Sequence, residues 1–342
     1  MKFRWIPIVI LMLGLPALAV DVGRFLWLPP SAEPKDVVVS IDDGMSFGVV
    51  VKRLADAGVV SRSLYFLWLG RAMQVDRAIQ AGDYALQTSM LPREVLERLR
   101  AGVVIKTAVT IPEGYAMRDI AAQLEAQELI SADRFLSAAT DPALIDALGV
   151  TGDSLEGYLF PSTYYVTRRT TAEMLVRRMV QEFHAATDGL DWSAAAARKL
   201  TRRQVVTLAS IIEKETARDE ERPLIAAVFL NRLQRRMPLQ SDPTVIYALV
   251  DFDGNLHKRD LSVKSPYNTY VVPGLPPGPI ANPGVASIEA VLHPASTKVL
   301  YFVSKNDGTH FFSATFAEHQ RAVAKYQPPV KKRRTAPTRS AL

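Results

Sequence analysis

Two glutamates near the middle of the chain, Glu213 and Glu215, close a segment patterned as a helix. At about 100° per residue, Leu208, Ile211 and Ile212 share one face. Glu215 falls on that face, a turn or two beyond each of them. Glu213 projects roughly the opposite way, beside Val206 and Ala209. A carboxyl among apolar side chains is disfavoured as an anion, so its pKa rises and it keeps a proton near neutral pH. That is what a general acid needs. The bland alternatives are a frayed last turn that wets Glu215, or an arginine that pairs with it.

Other polar residues could serve such an acid. Gln240-Ser241-Asp242-Pro243-Thr244 is a polar turn before the apolar Val245-Ile246-Tyr247. Asp242 there is either an N-cap or a ligand-facing carboxylate. Tyr267 and Tyr270 flank Asn268, a pattern suited to stacking on sugar rings and bonding hydroxyls, and equally suited to packing a loop. Glu156, in the turn Glu156-Gly157-Tyr158-Leu159-Phe160-Pro161, could bond a substrate amide or simply cap the turn.

Several chemistries are excluded. The chain has no cysteine, so thiolate metal sites, disulfides and a cysteine nucleophile are ruled out. Its five histidines form no HExxH or HxH pair, which argues against a histidine-built metal site. There is no glycine-rich phosphate loop and no Gly-x-Ser-x-Gly elbow. Neither a metal nor a cofactor is expected.

The elements that must hold these residues follow from the apolar pattern. Helices are predicted over 172–186, 202–216 and 222–236. Residues 265–284 form a loop rich in proline and glycine, and a loop so rigid is rarely a passive connector. Val299 to Phe312 alternates as a hairpin across Asp307-Gly308. Upstream lies an internal repeat. Ile41, Gly44, Leu54, Val60-Ser61 and Phe66 recur as Ile111, Gly114, Leu124, Ile130-Ser131 and Phe135, offset by 70 residues. Each unit reads as a strand, a glycine turn and an amphipathic helix. Between them, 81–86 reads as a strand and 92–99 as a short helix.

The 342 residues carry a net charge of +6 and are 48% hydrophobic, too apolar for a disordered chain. Lys331, Lys332, Arg333, Arg334 and Arg339 lie among prolines in the tail. They read as a solvated end, because no basic folded face or aromatic platform accompanies them; no nucleic-acid partner is expected. At the other end, Lys2 and Arg4 precede an uncharged run from Trp5 to Val20, and Phe25-Leu26-Trp27-Leu28 prolongs it. The segment is either a signal peptide cleaved after Ala17-Leu18-Ala19 or a retained anchor with Trp5 and Trp27 at the interfaces. Both readings export the chain beyond about residue 30.

The sequence resembles the endolytic murein (peptidoglycan) transglycosylases, the YceG-like family. The resemblance rests on EGYLFPSTY (156–164), ASIIEKET (209–216), VFLNRL (228–233), LQSDPTVIYAL (239–249), SPYNTY (265–270) and GLPPGPIANPG (274–284), with YFV (301–303), the Gly308–Phe312 hairpin and Glu318-His319 behind them. It covers nearly the whole chain. It implies that the catalytic glutamate is Glu215, the one followed by threonine, the same glutamate that the helical face singles out. Ser162 is a departure, since many relatives carry an acid in that turn.

The resemblance implies an α+β protein: a membrane segment (1–30), a LysM-like α+β module (31–106), a second repeat module (107–150), a mixed α/β catalytic domain with a helical active site (151–328), and a basic disordered tail (329–342). It implies cleavage between N-acetylmuramic acid and N-acetylglucosamine, with the muramyl 6-hydroxyl as internal nucleophile and 1,6-anhydro ends as product. Glu156, Gln240, Asp242, Asn268 and Tyr270 are the expected substrate-binding residues. Peptidoglycan strands, and the wall-synthesis enzymes of the bacterial inner membrane, are the implied partners. The competing readings are a muramidase-type hydrolase, with Asp242 or Glu156 as second carboxylate, and a non-catalytic wall-binding scaffold.

Overall fold

The computed structural model describes residues 6–249 and 251–328, with the backbone alone for 6–14. The basic tail lies outside the described residues. The chain divides into two compact units: residues 1–108 with 165–170, and residues 109–164 with 171–342. The mixed helix and strand content expected from the pattern is present.

The first unit begins with helix α1 (Ile6–Trp27). Among the described residues no helix is long and apolar enough to cross a membrane. The expected anchor over 1–30 includes residues 1–5 and the side chains of 6–14, which lie outside the described part. Strand β1 (Asp36–Ile41), helices α2 (Phe47–Asp56) and α3 (Ser63–Ala72), strand β2 (Gly82–Gln87) and helix α4 (Pro92–Ala101) come next. β1 and β2 pair antiparallel, Val39 opposite Tyr84 and Ile41 opposite Gly82. Leu54, Phe66, Tyr84, Leu96 and Leu99 fill the core beneath them.

The repeat of that pattern comes next in the chain: β3 (Thr107–Thr110), α5 (Met117–Ala126) and α6 (Ala132–Ala139). The counterparts Leu54 and Leu124, Phe66 and Phe135, and Ile41 and Ile111 are all buried. Gly44 and Gly114 both adopt positive φ, +73° and +77°, which a side chain would resist. The repeat is therefore one local solution used twice: the glycine turns the chain from strand to helix, and the periodic residues bury the helix.

Helices α7 (Pro142–Ala147), α8 (Ala172–Thr187) and α9 (Ser193–Ala197) flank β4 (Thr163–Val166), which pairs with β3. The central element is α10 (Arg202–Glu215). Thr201 caps it, accepting from the Gln204 amide while the Gln204 side chain accepts from the Thr201 N–H. It packs against α11 (Arg222–Gln234), α12 (Asp242–Ala248) and α13 (Val285–Leu292). Hairpin β5 (Tyr301–Ser304) to β6 (His310–Ser313) pairs Phe302 with Phe312 and Ser304 with His310, and α14 (Phe316–Tyr326) closes the unit.

One expectation about α10 is corrected. The pattern presents Glu215 into apolar surroundings and sets Glu213, beside Val206 and Ala209, outside them. All eight residues from Val205 to Ile212 are buried, because neighbours cover the helix on several sides. Glu213 therefore does not point to solvent. Its side chain is buried, pairs with the equally buried Arg222 at 3.1 Å and accepts the Gly284 N–H at 3.0 Å.

Candidate active site

Glu215 is the last residue of α10. Thr216 leaves the helix in an extended conformation and is buried, so the final turn is held rather than frayed. Among the described residues no ion pair includes Glu215. What separates the two glutamates is partnership: Glu213 has a guanidinium, and Glu215 has a hydroxyl. Ser241 Oγ donates to Glu215 Oε1 at 2.5 Å. Ser241 is itself fixed, its N–H donating to Thr269 Oγ1 at 3.0 Å and its carbonyl accepting from Thr244 Oγ1 at 2.6 Å.

Burial pushes the Glu215 carboxyl up to about 7, and the Asp242 carboxylate adds to the rise. The Ser241 hydroxyl and the Arg232 guanidinium work against it. A carboxyl raised toward neutral pH in this way can both give and take a proton.

Glu215 lies on the wall of a cavity of about 420 Å³. Gln240, Asp242 and Tyr270 line the same cavity, as do Arg232, Phe302, His310 and His319. Tyr270 donates its hydroxyl to Asp242 Oδ1 at 2.5 Å, and burial raises the phenol well above its usual range. Asp242 is the first residue of α12 and does not cap it; Ser241 holds the cap position. Gln240 sits at φ +51°, a left-handed conformation uncommon outside glycine, of the kind that collects at functional sites.

Two of the expected substrate-binding residues do not line this cavity. Asn268 is fully buried, and its amide donates to the carbonyls of Leu261 and Val263 at 3.0 and 2.8 Å. Its side-chain oxygen accepts the Tyr270 N–H, so it shapes the loop that carries Tyr270. Glu156 is buried too. It accepts from the Met117 N–H (2.9 and 3.1 Å), the Tyr247 hydroxyl (3.2 Å) and the Asn282 amide (3.1 Å). Burial lifts this carboxyl to about 7 as well. The same Asn282 side chain accepts the Gly157 and Leu159 N–H groups, both at 2.9 Å. Glu156 thus ties the start of α5 to the proline-rich loop, and of the two second carboxylates considered for a hydrolase only Asp242 reaches the cavity.

Sequence reasoning overlooked four neighbours. Ser241 was visible as part of the polar turn. Arg232 is buried in α11, donates to the carbonyls of Leu300 (2.7 Å) and Leu239 (2.9 Å), and lies over the Tyr301 ring. His319 stacks on Tyr301 at 5.1 Å, and burial, with Arg232 adding, lowers its pKa. His310 bonds Glu221 through Nδ1 at 2.7 Å. Burial pushes the Glu221 carboxyl up, but its bonds and charge contact with His310 outweigh that and hold it low. Nothing in the spacing of these residues marks them, since they converge only through the fold.

The sequence profile of the YceG-like family matches residues 39–325. The chain belongs to the YceG-like family. The motif resemblance is thereby borne out. A Bacillus subtilis (strain 168) protein named endolytic murein transglycosylase is 33% identical over 321 residues, 89% of each chain. A protein of that name from Streptococcus pneumoniae (strain R6) is 34% identical over 87% of this chain, which spans 60% of that relative's length. The 2.6 Å crystal structure of a YceG-like protein from Listeria monocytogenes matches with a TM-score of 0.58 and 32% identity, over 84% of this chain and 98% of that one. The YceG-like span contains all of the cavity-lining residues from Glu215 to His319.

The electrostatics of this YceG-like site make a signed prediction. With protonated Glu215 as the acid, the rate is expected to fall as pH rises through about 7. Asp242→Asn removes a charge that raises this pKa and moves the alkaline fall to lower pH. Ser241→Ala removes a bond that favours the anion and moves it to higher pH. A pH–rate profile of kcat/KM for each variant checks both signs; equal profiles would separate the alkaline limb from Glu215.

Proposed function

We propose that the chain is an endolytic lytic transglycosylase that cuts peptidoglycan glycan between N-acetylmuramic acid and N-acetylglucosamine and leaves 1,6-anhydromuramyl ends. The observation that carries this reading is one near-neutral carboxyl on a cavity wall, with a hydroxyl rather than a cation as its partner. Glu215 gives its proton to the glycosidic oxygen as the bond to the muramyl C1 breaks. The resulting carboxylate takes the proton of the muramyl 6-hydroxyl, whose oxygen bonds C1 and closes the anhydro ring. Glu215 ends protonated as it began, and no water is consumed. Internal attack carries a large entropic advantage over a free nucleophile. Ser241 and Arg232 favour the anion formed midway. In this reading Tyr270, bonded to Asp242, and Gln240 meet the sugars.

The names of the curated relatives support this substrate. In the same reading, the segment 1–30 anchors the chain in the bacterial inner membrane, with the catalytic unit on the outer side of that membrane. The front module is LysM-like, and the enzyme ends glycan elongation beside the wall-synthesis enzymes. Mass spectrometry of strands digested by the purified protein tests the chemistry. Anhydro ends, lighter than reducing ends by one water, are the expected product. Reducing ends would instead assign a hydrolase in which Asp242 activates water.

A further inference from the structure

The cavity lining holds a second polar cluster that the proton transfers of Glu215 do not use. Its centre is His310 on β6. Glu221, at the start of α11, grips this residue twice: Oε1 accepts the His310 backbone N–H at 2.8 Å, and Oε2 meets the ring Nδ1 at 2.7 Å. Both side chains are mostly buried, at 14% and 9% exposure. The cross-strand pair Phe302 and Phe312 packs against the ring edge-on, with centroids 5.4 and 6.4 Å away. Thr216, the residue after Glu215, also donates to Glu221 Oε2, at 3.4 Å.

These contacts fix the ring. A carboxylate on Nδ1 makes that nitrogen the donor and leaves Nε2 as the free end. Among the described residues Nε2 has no hydrogen-bond partner, yet it is not a sealed orphan, and the ring lines the cavity. A buried carboxylate that orients an imidazole toward an open cavity is a device for directing one nitrogen at a ligand. Because Glu221 touches both Thr216 and His310, that nitrogen is registered to the end of the helix that carries the acid.

We infer that His310 is a substrate-positioning residue: its Nε2 bonds a hydroxyl or acetamido group of the glycan, and Glu221 sets its tautomer and direction. This rests on the glycan-cleaving reading of the same cavity. Glu215, Asp242 and Tyr270 handle the proton and the sugar, and His310 fixes the position of the sugar within the same cavity.

Two substitutions separate this role from a structural one. Asn places its amide near Nδ1 and keeps the bond to Glu221 but has nothing at the Nε2 position. Gln reaches the Nε2 position but gives up the bond to Glu221. The probe is purified uncrosslinked peptidoglycan strands, with turnover measured in the otherwise unaltered chain and affinity measured in Glu215→Gln. His310→Asn should keep the melting temperature and lose on the order of 10–100-fold in kcat/KM, mainly through KM, with a matching loss of affinity. His310→Gln should recover part of both even if it melts lower. Wild-type turnover and affinity in His310→Asn, or losses that follow melting temperature across the two variants, would overturn the inference. If the unaltered chain binds strands without cutting them, the proposed reaction fails, and the affinity arm still decides whether His310 holds glycan.

Discussion

Glu215→Gln is expected to fold normally, bind glycan and lose about 10²–10⁴-fold or more in turnover, the range for losing a general acid–base. Glutamine has the same shape and still accepts from Ser241 Oγ, but it has no proton to give at neutral pH. The same substitution should raise stability above neutral pH. The sign comes from linkage. The folded pKa is raised from 4.5 to about 7, so the stabilisation from binding this proton is complete below 4.5 and is lost as pH rises through 7. Glutamine never ionises and escapes that loss. At pH 8 the variant should therefore be more stable than the parent by about 1–3 kcal/mol, and at pH 4 the two should coincide. Activity lost with stability gained is the expected mark of an acid held away from water. Urea unfolding at both pH values, with product assays, checks the pair.

Arg222→Met is expected to destabilise the second unit strongly. Arg222 is 4% exposed, pairs with Glu213, and donates to Ser287 Oγ at 3.0 Å. It also pairs with Asp219. Methionine keeps volume and removes the charge, which leaves the Glu213 carboxylate buried with little beyond the Gly284 N–H. Breaking one side of a buried pair costs about 3–5 kcal/mol. The double variant Arg222→Met with Glu213→Gln should recover a large part of that, because the stranded charge is then gone. A single-variant loss under about 1 kcal/mol, or no recovery in the double variant, would contradict this reading of the pair.

These two residues also show what could be read from the chain. Helical spacing alone singled out Glu215, because a period of 3.6 is local. The repeat was legible for the same reason: glycine at 44 and 114 is required by backbone conformation, and the apolar partners recur at fixed offsets. Glu213 was misread because periodicity reports one face and cannot say that α11 and α13 cover the others. Glu156 and Asn268 were recognised as unusual polar residues, but whether such a group meets a ligand or a backbone amide depends on tertiary neighbours. His310, His319 and Arg232 lie inside the family motifs without a role legible there, since nothing local brings residues 232 and 310 to the cavity that residue 215 lines.

The proposed chemistry stands on the protonation of one carboxyl, so the most direct test is its titration. Carboxyl carbons can be followed by NMR in chain labelled at glutamate, with Glu215→Gln and Glu156→Gln identifying the two resonances that titrate late. The resonance lost in Glu215→Gln is expected to have a midpoint near 7, moving down in Asp242→Asn and up in Ser241→Ala. A midpoint near 4.5, the value for an unperturbed glutamate, would contradict it.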